Sequence, residues 1–415
     1  MGYRKFKGEH IYTGEDVLPA DTVLITEENG IIVNRVNVRD AGDGVETFEG
    51  LLTPGFVNSH CHLELSHMKG KIAPGSGLVQ FLTRVIQERQ TDPIQLDEAM
   101  NQAERELLAS GTVAVGDICN TTDSLHMKKT STIHYKNFIE VMGFREEEAA
   151  ARFAAAEKIA NAFSPTATAE HGRYQRNESL LPGPDHWPSF LCPSLTPHAP
   201  YSVSLPLFHL INVSSEGKVI TIHNQETDAE NQLYANGSGP LFQLYRNLHI
   251  DASNFKASGR SSLQTILPWL NKPSGVILVH NTYTQEADIL FADAHNGPLA
   301  NLYFCICINA NRYIESRNPP LDLLRRNKCT ITIGTDSYAS NRQLNMLEEI
   351  KVIHEQFPLV PLPEILQWAT INGARALGMS GILGSFDQGK QPGIVLINNI
   401  DNLHVSPDST ARKIL

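Results

Sequence analysis

The chain has 415 residues, 41% of them hydrophobic, enough for a large α/β core with a smaller appended unit. Its 34 Lys and Arg stand against 45 Asp and Glu, a net charge of -11 with no basic stripe, which argues against nucleic acid and anionic membrane as partners. The opening MGYRKFKGEHIYTGED lacks the apolar stretch of a secretory signal and no run of about 18 apolar residues occurs, so a cytoplasmic protein handling a small molecule is expected.

Residues 1–50 carry short alternating runs such as TVLITEENGIIVNRVNV, which predict strands and turns. From residue 51, apolar strand-like runs alternate with amphipathic stretches. Eight such runs occur, at 51–58, 112–118, 133–143, 190–197, 219–224, 275–281, 302–309 and 330–336. LVQFLTRVIQERQ, DEAMNQAERELLAS, REEEAAARFAAAEKIANAF and LPEILQWATINGARALGM predict helices between and after them. The polar, Pro- and Gly-rich stretch 164–189 reads as a surface insertion before the fourth run. Residues from 384 onward return to strands and turns.

The expected fold is α/β: a TIM-like (β/α)8 barrel over 51–383, with a composite β-sandwich built from 1–50 and 384–415. The six cysteines, Cys61, Cys119, Cys192, Cys305, Cys307 and Cys329, lie in or beside apolar runs without C-x-x-C spacing, and read as reduced, buried thiols.

Chemistry must then come from side chains at strand ends. His60 and His62 flank Cys61 after the first run, and strand alternation points both imidazoles to one side, a geometry that suits one metal ion. His223 ends the fifth run with Glu226 three residues on, His280 ends the sixth and Asp336 the eighth. Taken singly, His223 and His280 read as core-edge histidines, Glu226 as a helix-start carboxylate and Asp336 as an N-cap. Capping does not explain four strands each delivering a ligand or acid-base group to one rim, and a metal site is the stronger reading. Glu64, His67, His198, Asn309 and Asn311 fall at the same rim and are candidate substrate contacts. For Glu64 and His67 the competing reading is a structural hydrogen-bond network.

These motifs, LTPGFVNSHCHLELSH, TPHAPYSVS, IHNQE, VHNTY, IGTDSYASN and ATINGARALG, resemble in order those of the amidohydrolase superfamily. The branch resembled holds the cytosine, guanine, S-adenosylhomocysteine and aminodeoxyfutalosine deaminases and the triazine chlorohydrolases. The resemblance implies His60, His62, His223 and Asp336 as metal ligands. It makes Glu226, His280 and Asp336 the acid-base groups around a metal-bound hydroxide, and His198 a substrate-facing histidine.

Binuclear relatives carry a lysine at the end of the fourth barrel strand, whereas FLCPSLTPHAP has none, so one divalent ion is expected. The histidine-rich set favours zinc, with iron or manganese as alternatives. The implied reaction is hydrolytic release of ammonia from an aminated heterocycle, with a 6-aminopurine nucleoside of the aminodeoxyfutalosine or S-adenosylhomocysteine type as leading substrate. The alternatives are hydrolysis of a cyclic amide or a chlorinated triazine-like ring, and a non-catalytic scaffold. The superfamily's habit of self-association also implies a homodimer. CICINANRYIES lacks the proline that relatives carry after the seventh strand, and Gly393 or Ile394 stands where they usually have Asp.

Overall fold

The computed structural model describes residues 2–164, 190–296 and 301–415. The 164–189 insertion therefore lies, beyond Ser164, outside the described residues.

Fourteen strands are present among them. β1 (Tyr3–Ile11), β2 (Thr22–Glu27), β3 (Ile32–Asn37) and β4 (Val45–Pro54) join β13 (Ile394–Asp401) and β14 (His404–Lys413) in one sheet, in the order β14-β13-β4-β1-β2-β3. β1 and β4 run parallel, whereas β13 pairs antiparallel with both β4 and β14. The two ends of the chain thus pair as expected, but as a single six-stranded sheet and not as a two-layered sandwich. Alternating strands announce one buried face and do not say whether a second sheet or another element covers it. Phe6, Leu24, Ile32, Leu52, Phe386 and Ile394 form a core of its own within this sheet.

The other eight strands form two parallel four-stranded sheets. One contains β5 (Phe56–Cys61), β6 (Thr112–Cys119), β7 (His134–Val141) and β8 (Phe190–Pro197). The second contains β9 (Val219–Asn224), β10 (Gly275–His280), β11 (Leu302–Ile306) and β12 (Thr330–Ile333). Hydrogen bonds cross both seams. Thr335 N and Asp336 N donate to His60 O at 3.1 and 3.0 Å, and His223 N donates to His198 O at 2.9 Å. β5, β6 and β10 are buried along their whole length, which is why β6 and β10 read as largely apolar runs and not as alternations.

Two element ends differ from expectation. The run 51–58 is divided at Gly55: Leu51 to Pro54 belong to the outer sheet, and the inner strand starts at Phe56. A Cβ at Gly55 would lie 2.3 Å from Val113 Cγ1 and 2.6 Å from Pro392 O, so only glycine lets the chain pass between the two units. The run 302–309 stops as a strand at Ile306, and Ile308–Glu315 is a helix that carries Asn309 and Asn311. Cys61, Cys119, Cys305, Cys307 and Cys329 are free and buried. No helix among the described residues is long and apolar enough to cross a membrane.

Candidate active site

All six residues singled out by the strand-end pattern converge. His60 ends β5 with Cys61, and His62 follows it; their Nε2 atoms are 3.1 Å apart. Asp336 Oδ1 lies 3.6 Å from His60 Nε2 and 3.5 Å from His62 Nε2. The seam that brings Asp336 to His60 depends on Gly334, whose added Cβ would stand 2.9 Å from His60 Cβ and 3.0 Å from Cys305 Sγ. From β9, His223 sets its ring centroid 5.0 Å from that of His60 and 5.5 Å from that of His62. His60, His62 and His223 can place one nitrogen each within 4.8 Å of the others, and so can His60 and His280 with a carboxylate oxygen of Asp336.

Backbone geometry aims these groups. His280 and Asp336 have φ of 75° and 57°, in the left-handed region that non-glycine residues seldom adopt. Such conformations cost about 1–3 kcal/mol each and persist where surrounding contacts impose them. Here Asn281, at φ 54°, is held by its Nδ2 donating to Leu278 O at 2.8 Å, and Ser340 Oγ donates to Asp336 Oδ2.

The Nδ1 atoms of His223 and His280 are occupied, which frees their inner nitrogens, whereas His60 Nδ1 is buried without a partner. His223 Nδ1 donates to His198 O at 2.8 Å, leaving Nε2 unprotonated. His280 Nδ1 meets Asn311 Oδ1 at 3.0 Å, so Nε2 faces Glu226 Oε1 at 3.6 Å. Three buried imidazoles with free inner nitrogens and one carboxylate are a donor set that fits a single divalent ion such as zinc. The fourth inner strand supplies no lysine to bridge a second.

Burial and mutual charge set the electrostatics of these groups. Burial and the neighbouring imidazole of His60 push His62 down to about 4. Burial and the surrounding histidines hold His223 well below the ordinary range. Burial, reinforced by Asp336 and Glu315, raises the Glu226 carboxyl well above the usual carboxylate range. For Asp336 burial acts upward, yet hydrogen bonding to His60 and the charges of His62, His280 and His60 hold it below that range.

Above the cluster opens a cavity of about 520 Å³. Its floor holds His62, His223, Glu226, His280 and Asp336, and its walls are mainly apolar, among them Leu78, Phe81, Met142, Phe144, Leu244 and Ile250. Of the five candidate substrate contacts only His198 lines it, with Nδ1 2.7 Å from Ser202 Oγ. Glu64 is buried behind the rim and accepts from Asn120 N at 2.9 Å and Thr121 N at 3.1 Å; burial pushes its carboxyl up to about 7. Both ring nitrogens of His67 are buried without a hydrogen-bond partner. Asn309 is held by Glu349, through its N at 3.1 Å and Nδ2 at 2.8 Å, and Asn311 by His280. These four stand behind the site and not in its lining, because the helix begun at Ile308 and the short helix Leu63–Met68 turn their side chains into the framework.

Several polar residues of the cavity were not anticipated, among them Asn120, Glu148, Arg152, Glu140 and Arg89. Glu140 sits at the end of β7, the strand-end position that had marked the other six, and Arg89 lines the wall beyond the helix Leu78–Glu88.

Histidines and carboxylates clustered at the carboxyl ends of parallel strands, beneath an open cavity, define a metal-dependent hydrolytic site. Residues 51–412 match the amidohydrolase family, and the chain belongs to it. Family and neighbours imply a TIM-barrel fold with an additional sheet domain.

Deaminases are among the relatives. An aminodeoxyfutalosine deaminase of Nitratiruptor sp. is 25% identical over 368 residues, covering 86% of this chain and 82% of the relative. A 5-methylthioadenosine/S-adenosylhomocysteine deaminase of Thermococcus kodakarensis is 25% identical over 416 residues, covering 97% and 86%. The solved structure of Helicobacter pylori aminofutalosine deaminase has the same fold, with a TM-score of 0.74 at 20% identity over 97% of this chain and 94% of that one. An atrazine chlorohydrolase from Arthrobacter aurescens shares the fold at a TM-score of 0.68 and 16% identity, over 97% and 89%.

Proposed function

We propose that the protein is a metal-dependent hydrolytic deaminase that replaces the 6-amino group of a purine nucleoside by oxygen and releases ammonia. The observation that carries this reading is Glu226. Its buried carboxyl is pushed toward the protonated form, sits 3.6 Å from His280 and faces the same cavity as the ligand-type side chains His62, His223 and Asp336. An acid so placed suits attack on an aminated ring, where the adjacent ring nitrogen must gain a proton as water adds to carbon.

His60, His62, His223 and Asp336 would hold one divalent ion, zinc first. When bound, that ion supplies Lewis-acid activation of water at neutral pH. Glu226 gives its proton to the ring nitrogen beside the amino-bearing carbon. His280, its Nδ1 fixed by Asn311, and Asp336 accept the proton that the attacking water loses. Returning that proton to the amino group lets it leave as neutral ammonia, while the proton left on the added hydroxyl passes back to Glu226 as the carbonyl forms. His198, on the wall beside His223, is placed to meet the ring. Phe81, Met142, Phe144 and Leu244 offer room for an apolar substituent beyond the sugar, as in the aminodeoxyfutalosine and S-adenosylhomocysteine types.

This reading takes the eight inner strands as one closed barrel over 51–383, the outer sheet as a unit of 1–50 and 384–415, and a cytoplasmic, homodimeric enzyme. The test is ammonia release from zinc-loaded protein given aminodeoxyfutalosine, S-adenosylhomocysteine and methylthioadenosine, with guanine, cytosine and a chlorotriazine as contrasts. Release from the adenine nucleosides sustains the proposal. Silence there with metal bound, or chloride release from the triazine alone, replaces it.

A further inference from the structure

The geometry points to Glu140 as the residue that recognises the sugar of the substrate, by accepting a hydrogen bond from a 2′- or 3′-hydroxyl; this rests on the nucleoside reading above. Glu140 stands at the carboxyl end of β7, in register with Thr196 of β8, and its side chain is 4% exposed. One oxygen, Oε2, accepts from Asn120 Nδ2 at 2.9 Å. The other, Oε1, is buried, has no hydrogen-bond partner, and belongs to a side chain that lines the cavity. A buried carboxylate oxygen without a donor is costly, and in a binding cavity the missing donor is a group of the ligand.

The neighbours do not fill the vacancy. His223 Nδ1 lies 3.8 Å from Oε1, but its proton already goes to His198 O at 2.8 Å. Glu140, His198 and His223 could offer a ligand atom each to a second ion, yet only if His223 gave up that hydrogen bond. The other carboxylates of the lining are paired or, for Glu226, set aside as the acid. Glu226 faces His280, Asp336 meets the imidazoles and Ser340, and Glu148 holds Arg145 at 2.6 Å and Arg152 at 3.0 Å.

The chemistry of the substrate then chooses the donor. In a 6-aminopurine nucleoside the ring nitrogen faces Glu226 and the amino group is at the reacting carbon, which leaves the sugar hydroxyls as the donors next along the molecule. Glu140 lines the same cavity as Glu226, and its polar atoms come within 4.8 Å of those of His198 and His223.

The experiment compares methylthioadenosine with its 2′,3′-dideoxy counterpart, in wild-type zinc enzyme and in Glu140→Gln. Wild-type kcat/KM should fall on the order of 10- to 100-fold on loss of the hydroxyls, mostly through KM, the range expected for a hydrogen bond to a charged acceptor. Glu140→Gln, which keeps an acceptor for Asn120, should lose a similar factor with methylthioadenosine and less than about threefold with the dideoxy compound. Metal content should stay at one ion per chain. Equal losses with both substrates would assign Glu140 to the framework of His223 and overturn the inference, as would a wild-type enzyme indifferent to the hydroxyls. Neither result touches the deaminase reading, whereas failure of every adenine nucleoside in wild type removes both.

Discussion

Asn311 grips His280 twice: Oδ1 accepts from the ring Nδ1 at 3.0 Å, and Nδ2 donates to the His280 carbonyl at 3.0 Å. The second contact steadies a residue whose φ of 75° is otherwise unfavourable, and the first settles which nitrogen faces Glu226. Partners of this kind are worth about 10- to 100-fold in activity or metal affinity. Asn311→Ala should therefore lower kcat by about that factor while leaving one metal per chain, measured by turnover beside metal analysis; full activity would show that His280 needs no such guide. Glu226→Gln should keep its metal and lose turnover by at least about 100-fold, the contribution of a positioned general acid. His223→Ala should lose both. Sequence placed Asn311 at the right rim in the wrong role, because strand order locates a residue around the mouth and helix phase decides whether its side chain faces ligand or framework. Glu140 carried a weaker form of the signal of His223 or Asp336, a polar residue near but not at the end of an apolar run, and without a recognisable motif around it.

Behind the metal-ligand segment lies a fully buried ion pair. Lys128 Nζ meets Asp117 Oδ2 at 2.5 Å and Asn137 Oδ1 at 2.8 Å, and Asp117 Oδ1 accepts from Leu63 N, next to His62, at 2.9 Å. Removing one partner of such a pair strands the other and costs about 3–5 kcal/mol. Lys128→Met should destabilise the protein by that amount in urea titration; a loss under about 1 kcal/mol would mean that Asp117 is satisfied without it. Nothing in the sequence announced the pair, since a lysine on a short polar stretch ordinarily reads as solvated.

The helix Met346–Gln356 braces the opposite side through Glu349, which accepts from Asn309 and Asn341 and whose carboxyl burial pushes up to about 7. Because the folded form binds this proton more tightly than the unfolded chain, its contribution is fully present below about pH 4.5 and is lost as pH rises through about 7. Melting temperatures of wild type and Glu349→Gln across that window should show the wild-type decline flattened in the variant. Parallel curves would contradict it. Element boundaries were legible where a run ended on Gly or Pro. They were not at Cys305 to Asn309, where an apolar strand passes into an apolar helix start and periodicity is silent.

At the scale of the molecule, the pairing of chain ends followed from alternation at both termini, while the single-sheet arrangement did not, because which elements cover a face is a tertiary choice. The catalytic rim was more legible than the architecture supporting it, since metal chemistry restricts residue types far more tightly than packing does. That rim also spans the two parallel sheets. His60 and His62 come from the β5 sheet, His223 and Asp336 from the β9 to β12 sheet, and between Cys61 and Asp336 the seam is a single β-bridge. An ion held by these four side chains would tie the sheets together where backbone pairing is sparse, so binding and folding are linked. With free ion at about 100 times its dissociation constant the linkage contributes about 2.7 kcal/mol. Stripping the metal with a chelator should lower the melting temperature, restoring zinc should recover it, and His223→Ala should be insensitive to both. If metal analysis confirmed removal and the wild-type melt did not move, the ion would not be clamping the two sheets, and seam hydrogen bonds such as those from Thr335 and Asp336 to His60 would suffice to hold them.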